Sequence, residues 1–342
     1  MPLREQILPF TAGDGHPCSL VHVRSDPAPT KGPVLLVHGA GVRANIFRAP
    51  VERTLVNDLV DAGYDVWLEN WRASIDGPPN EWTLDQAAVH DHPVAVRRVL
   101  EETGADGLKA IVHCQGSTSF MMAAVAGLLP QVTTIISNAV SLHPVIPQLA
   151  AIKQRLGVTF FRHFIDYMNP QWGLDAPRGM PRFLDLLVRA THHECDNAVC
   201  RHVSFTYGAG FPTLWSHENL NDATHEWLKG EFAHVPMTFF AQMDRSVRVG
   251  RIVAVDGFRE LPPDVLAAPP LTDARIVFLA GQDNKCFLPE SQVRSFKYFD
   301  RIRPGYHSLM VLPGYGHLDL FMGKNAWRDV FPSLVRALDG PI

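Results

Sequence analysis

The sequence predicts an α/β protein: a mostly parallel, doubly wound sheet with an inserted helical cap. Three observations carry this. Short apolar runs recur between helix-length stretches, the rhythm of a sheet buried on both faces. That rhythm breaks between His143 and about Pro270 and resumes at Ala274. At residues 113–118 an apolar run passes directly into a small-residue helix pattern through His-Cys-Gln-Gly-Ser-Thr, a sharp strand-to-helix turn with a reactive side chain at its apex.

Residues 7–11 and 18–24 flank Gly13-Asp14-Gly15 and predict an opening hairpin. Pro33 to Gly39 is a continuous apolar strand. A helix pattern over 50–62 stops at Gly63, and Asp65 to Glu69 follows as a strand. Thr83 begins a helix over 84–103 that stops at Gly104, with Pro93 placed to kink it. Strands are predicted at 108–112 and 132–139 around the helix 119–129, and later at 274–280 and 308–312, with a closing helix near 327–338. The chain divides into a first core part, 1–142, a cap insertion, 143–270, and a second core part, 271–342. Leu261 to Pro270, rich in proline, is the hinge back into the core.

At 342 residues and 46% hydrophobic, the chain has apolar material for one large core plus an insertion. Its 31 Lys+Arg against 35 Asp+Glu, with no basic run, argue against a nucleic-acid partner. The opening MPLREQILPF has no charged region ahead of a long apolar one, so it does not read as a secretory signal. The longest apolar run, Phe120 to Leu129, falls short of the ~20 residues that span a bilayer. Five cysteines, an odd number, suit a reducing compartment. The expectation is a cytoplasmic protein without stable membrane insertion; the sequence is silent on its oligomeric state.

Acyl transfer through a covalent intermediate needs a nucleophile, a base, a group that orients the base, and donors for the developing oxyanion. Cys114, at the apex of the turn, is the candidate nucleophile. His317 follows the last strand in Pro313-Gly314-Tyr315-Gly316-His317 and is the candidate base. Asp283, in Gly281-Gln282-Asp283 after the preceding strand, is the candidate orienting acid, with Asp319 as competitor. The small residues after His38 bring the backbone close, so the N–H groups of Ala40 and Gln115 are the candidate oxyanion donors. His38 itself reads as a hydrogen-bonded structural residue.

The cap is rich in aromatics: Phe160, Phe161, Phe164, Tyr167, Trp172, Phe183, Phe205, Tyr207, Phe211, Trp215, Trp227, Phe232, Phe239 and Phe240. Most of them should form the insertion's own core, and the remainder line an apolar acyl pocket. The run Thr191 to His202 holds His192, His193, Cys195, Cys200 and His202, ligand types for zinc. Its Cys-x4-Cys spacing is looser than zinc knuckles use and no second pair follows, so the run reads as plain cap structure, with metal binding and a disulfide or redox role as the alternatives. No metal and no cofactor are expected.

Ala62-Gly63-Tyr64-Asp65-Val66-Trp67-Leu68 followed by Asn70 and Arg72, Leu84-Asp85 to Asp91-His92-Pro93, HCQGST, and Tyr315-Gly316-His317-Leu318-Asp319 together resemble the acid-lipase branch of the α/β-hydrolase superfamily. There the matching stretches carry a serine within GHSQGT and the catalytic histidine within NHLD. The likeness covers residues 33–140 and 274–325 and thins in the cap. It implies an α/β-hydrolase fold and the same assignments, Cys114, Asp283 and His317 with the Ala40 and Gln115 amides. Two positions depart from the pattern: cysteine for serine at 114 and Val112 for glycine. A cysteine in this turn also resembles polyhydroxyalkanoate synthases and dienelactone hydrolases.

The expected activity is attack by a Cys114 thiolate, paired with His317, on an apolar activated acyl donor such as a thioester, activated ester or lactone. Thiolate leaves a tetrahedral intermediate more readily than alkoxide, so unactivated alkyl esters should revert. Acceptor choice stays open between water and a second nucleophile, hydrolase or acyltransferase. A non-catalytic module that binds a lipophilic ligand is the alternative from another class.

Overall fold

Pro33 to Val37 are buried at every position, as are nearly all residues of the strands beside them, and this apolar slab sets the frame. The computed structural model describes residues 3–26, 28–210 and 212–340. Among these, ten strands form: β1 (Arg4–Thr11), β2 (Pro17–Arg24), β3 (Pro33–Val37), β4 (Asp65–Asn70), β5 (Leu108–His113), β6 (Val132–Asn138), the two-residue strands β7 (Tyr167–Met168) and β8 (Val235–Pro236), β9 (Arg275–Gly281) and β10 (Ser308–Leu312). Eight of them make one sheet in the order β1-β2-β4-β3-β5-β6-β9-β10, while β7 and β8 pair in a separate ribbon. β1 and β2, and β2 and β4, run antiparallel; from β4 to β10 every neighbour is parallel. The loops leaving β3, β5, β9 and β10 therefore gather at one edge, where a doubly wound sheet places ligands.

The helix expected over 50–62 begins only at Leu55, because Thr54 closes a capping box with Asn57. The helix over 84–103 forms, capped by Thr83 and Gln86, but its middle, Ala87–Asp91, widens into a π-helical turn directly before His92 and Pro93. That turn absorbs the hydrogen bond the proline ring cannot make.

The polar residues of the resembling motifs form a strut behind the Cys114 turn. Glu69 on β4 bonds His92 Nδ1 at 3.0 Å, and His92 Nε2 reaches Ser119 Oγ at 2.7 Å on the helix Cys114–Val125. Arg72 pairs with Asp91 at 2.6 Å and Asp14 at 2.9 Å, with Arg72 and Asp91 both buried. Removing one partner of such a buried pair costs about 3–5 kcal/mol, so these residues hold the turn in place.

Between β6 and β9 lie the helices Gln148–Phe161, Met180–Thr191, Ala198–Tyr207, Asp222–Trp227 and Met237–Val249. A small cluster of Val158, Ile165, Met168, Trp172, Leu184 and Met237 is separate from the main core. Trp215 and Phe232 instead join the main core, and Phe211 lies outside the described residues. Among the described residues no helix is long and apolar enough to cross a membrane.

Candidate active site

Cys114 has φ 55, a left-handed conformation forced on a non-glycine residue, at the junction of β5 and the helix Cys114–Val125. Such strain is stored where geometry serves function. The turn holds because its neighbours are small: a Cβ on Gly116 would collide with His38 O, and one on Gly39 would come 2.9 Å from Cys114 Cβ. Val112, where the family pattern has glycine, is fully buried.

The backbone N–H groups of Gln115 and Ala40 both point at the Cys114 sulfur, which brings together the two donors expected from the sequence. The peptide carrying the Ala40 N–H is held from its other side, where His38 Nδ1 donates to Gly39 O at 2.7 Å. Burial pushes His38 down to about 3 and keeps it neutral. Tyr207, from the segment between β6 and β9, donates its hydroxyl to Ala40 O at 2.9 Å. His38 thus has the structural role expected of it.

His317 is buried on the loop after β10, and its ring meets His113 edge-to-face with centroids 4.7 Å apart. The Cys114 sulfur and one ring nitrogen each of His113 and His317 lie within 4.8 Å of one another. Burial raises the Cys114 thiol to about 12, the two N–H groups opposing that rise, and lowers His317 to about 3. The resting pair is therefore neutral thiol and neutral imidazole, not the thiolate expected from the sequence.

Asp283 does not meet His317. It is exposed, and its backbone N–H donates to Tyr315 O. The contact belongs to its neighbour: Asn284 is buried, with Nδ2 at 3.0 Å from His317 Nδ1. Asn284 Oδ1 accepts from the N–H groups of Cys286 at 3.0 Å and Phe287 at 3.2 Å, which fixes the amide orientation. With Nδ2 as donor, His317 Nδ1 is an acceptor and the ring proton sits on Nε2. Asp319, the competing carboxylate, accepts from Gly316 N, Ser216 N and Asn219 Nδ2 and so shapes the loop without touching the ring.

Cys114 opens on a cleft of about 100 Å³ lined by apolar side chains that include Val158, Phe161, Phe205, Met237, Phe239, Phe240 and Phe287. Two further groups line it that sequence reasoning missed. Cys286 is a second buried thiol, raised well above its usual range by burial. Lys153 donates to Phe205 O and Gly208 O, its Nζ 4.7 Å from the Phe205 ring centroid, and burial lowers it to about 7. Nothing in the local sequence marks Lys153, because its burial is a tertiary event; His113, by contrast, stands beside Cys114 in the chain.

A family model for the alpha/beta hydrolase fold matches residues 32–324, most of the chain. The chain belongs to the alpha/beta hydrolase family. Within that family it is 22% identical to human lipase member K over 92% of this chain and 82% of that protein. The soluble variant of monoglyceride lipase from Saccharomyces cerevisiae, solved with a substrate analogue, superposes with a TM-score of 0.62 at 17% identity, covering 99% of this chain and 96% of that one. A thermophilic esterase from Thermogutta terrifontis gives 0.59 at 16% identity over 98% of each chain. This alpha/beta hydrolase carries Cys114 at its elbow and an amide, Asn284, at its histidine.

Proposed function

We propose that this chain takes an apolar acyl group from an activated donor onto Cys114 and passes it to water or to a second nucleophile. The observation that carries the reading is the Cys114 sulfur lying under two backbone N–H groups in an apolar cleft, the arrangement that stabilises a tetrahedral oxyanion. Relatives named as lipases and esterases support an ester-type substrate. We read residues 1–142 and 271–342 as the core and 143–270 as a cap. Its helix Gln148–Phe161 is apolar on two faces: Ala150, Val158 and Phe161 line the cleft, while Leu149, Ile152, Leu156 and Phe160 are exposed. That suits a substrate drawn from a lipid surface or micelle.

In acylation the Cys114 sulfur forms a bond to the acyl carbon, the donor's C–S or C–O bond breaks, and the thiol proton passes by way of His317 to the leaving group. The base needs a lone pair on Nε2, which exists only in the tautomer with its proton on Nδ1. That tautomer sets ring N–H against the Asn284 N–H. Asn284 therefore weakens the base, and the site serves donors whose acylation is intrinsically easy, thioesters first. The same hydrogen bond favours the second reading, a lipophilic-ligand binder that does not turn over. Intact mass spectrometry after incubation with thioesters of graded chain length separates them: the enzyme reading expects an acyl adduct on Cys114 that Cys114→Ala abolishes, and no adduct from any donor leaves the binder.

A further inference from the structure

We propose that Cys195, Cys200, His217 and His225 bind one zinc ion in a closed, structural site on the segment between β6 and β9. Their four donor atoms lie within 4.8 Å of one another. Cys200 Sγ is 3.3 Å from His217 Nε2, and Cys200, His217 and His225 all crowd the Cys195 sulfur. The His217 and His225 rings meet edge-to-face at 4.9 Å. Tetrahedral zinc with sulfur at ~2.3 Å and nitrogen at ~2.0 Å needs donor separations of about 3.3–3.8 Å, so the four atoms need close by only about 1 Å. His225 Nε2 is shut from solvent with no hydrogen-bond partner among the described residues; in the tautomer protonated on Nδ1 it presents a lone pair that an ion would satisfy.

The sequence hid this site because its second pair is distant. The histidines near the cysteines in the chain go elsewhere: His202 faces Asp185 at 3.3 Å, and His192 meets Thr191 Oγ1 at 2.8 Å. The ligands come instead from the short turn His217–Asn219 and the helix Asp222–Trp227. Asn197 braces the assembly from outside. Its Oδ1 accepts from Cys200 N at 3.0 Å and its Nδ2 donates to His225 O at 2.6 Å, as groups behind a metal's ligands do.

Two thiolates and two neutral imidazoles form a complete tetrahedral set suited to zinc, with no position left for substrate. Binding releases the two thiol protons, and the two negative sulfurs neutralise the dication, so the half-buried site carries no net charge. The His113, Cys114 and His317 trio is the poorer set, because it offers three donors where a closed structural site uses four. Structurally the ion would join three segments that brace the Cys114 site. Tyr207, which holds Ala40 O, lies between Cys200 and His217. So does Leu214, whose carbonyl accepts the N–H groups of His317 and Leu318. Asn219, just past His217, bonds Asp319 at 2.7 Å.

The test is metal analysis of the whole protein purified without chelator. One zinc per chain is expected, kept in Cys114→Ser and lost in Cys200→Ser and His225→Gln. Where those variants fail to fold, the wild type still answers: titration with a thiol-specific mercurial should release zinc to a metallochromic dye as two thiols react. Cobalt substitution should give the intense visible bands of a tetrahedral site together with thiolate charge transfer. No bound metal, a Cys195–Cys200 disulfide in non-reduced peptide maps, or metal that leaves with Cys114→Ser each overturns the proposal.

Discussion

Asn284 donates its amide N–H to His317 Nδ1 at 3.0 Å while its oxygen is held by the Cys286 and Phe287 amides. The proton of the neutral ring is therefore on Nε2, the side available to Cys114. A carboxylate in the same place would keep both amide bonds and accept from Nδ1–H, freeing the Nε2 lone pair. Replacing the aspartate of a serine-protease triad by asparagine lowers turnover about 10⁴-fold through this tautomer effect. Asn284→Asp is thus expected to speed single-turnover acylation of Cys114, by on the order of 10²-fold or more. A rate that stays level would detach Asn284 from the proton transfer.

Sulfur chemistry sets the second expectation. Thioester donors should acylate Cys114 faster than alkyl esters of the same chain, because one thiolate replaces another, whereas alkoxide is the poorer leaving group. Cys114→Ser should move the ratio toward the alkyl ester. An unchanged ratio would assign the preference to the cleft.

The pH behaviour follows from burial. With the thiol raised to about 12 and His317 lowered to about 3, neither group titrates between pH 5 and 9. Because the neutral thiol gives its proton through neutral His317, the acylation rate should stay level across that range, and a rise of about tenfold per pH unit would mean attack by the minor thiolate without His317. A bell-shaped profile centred near neutrality would mean a preformed ion pair.

Stability has its own pH window. His38 and His317 have folded values of about 3 against 6.5 for an ordinary histidine. The unfolded chain therefore binds protons that the folded chain refuses, and stability present above about pH 6.5 is lost as pH falls toward 3. Tm should decline steadily over that interval. His317→Asn should shallow the decline.

Tyr207→Phe removes the hydroxyl from Ala40 O and leaves a carbonyl without that partner, a cost of about 1–3 kcal/mol. Acylation should slow roughly tenfold through a loosened Ala40 N–H, with donor affinity little changed. Tyr207 also lines the cleft, so a mutant impaired only in affinity would assign it to donor binding and not to the Ala40 peptide.

The parallel core was legible in the sequence because buried strands must be continuously apolar. β3, β5, β6 and β9 follow from that demand, and the Cys114 turn follows from a strand that meets a helix with no linker. The loops at the sheet edge were legible by position, so Cys114, His317 and the Ala40 and Gln115 amides could be named. The residue that faces His317 could not. Asp283 and Asn284 are adjacent, chemistry favours the carboxylate, and only the path of the main chain after β9 decides that the amide turns inward. Lys153 and the pairing of Cys195 and Cys200 with His217 and His225 were equally out of reach. Such clusters depend on how distant segments pack, and a local pattern of residues carries no record of that packing.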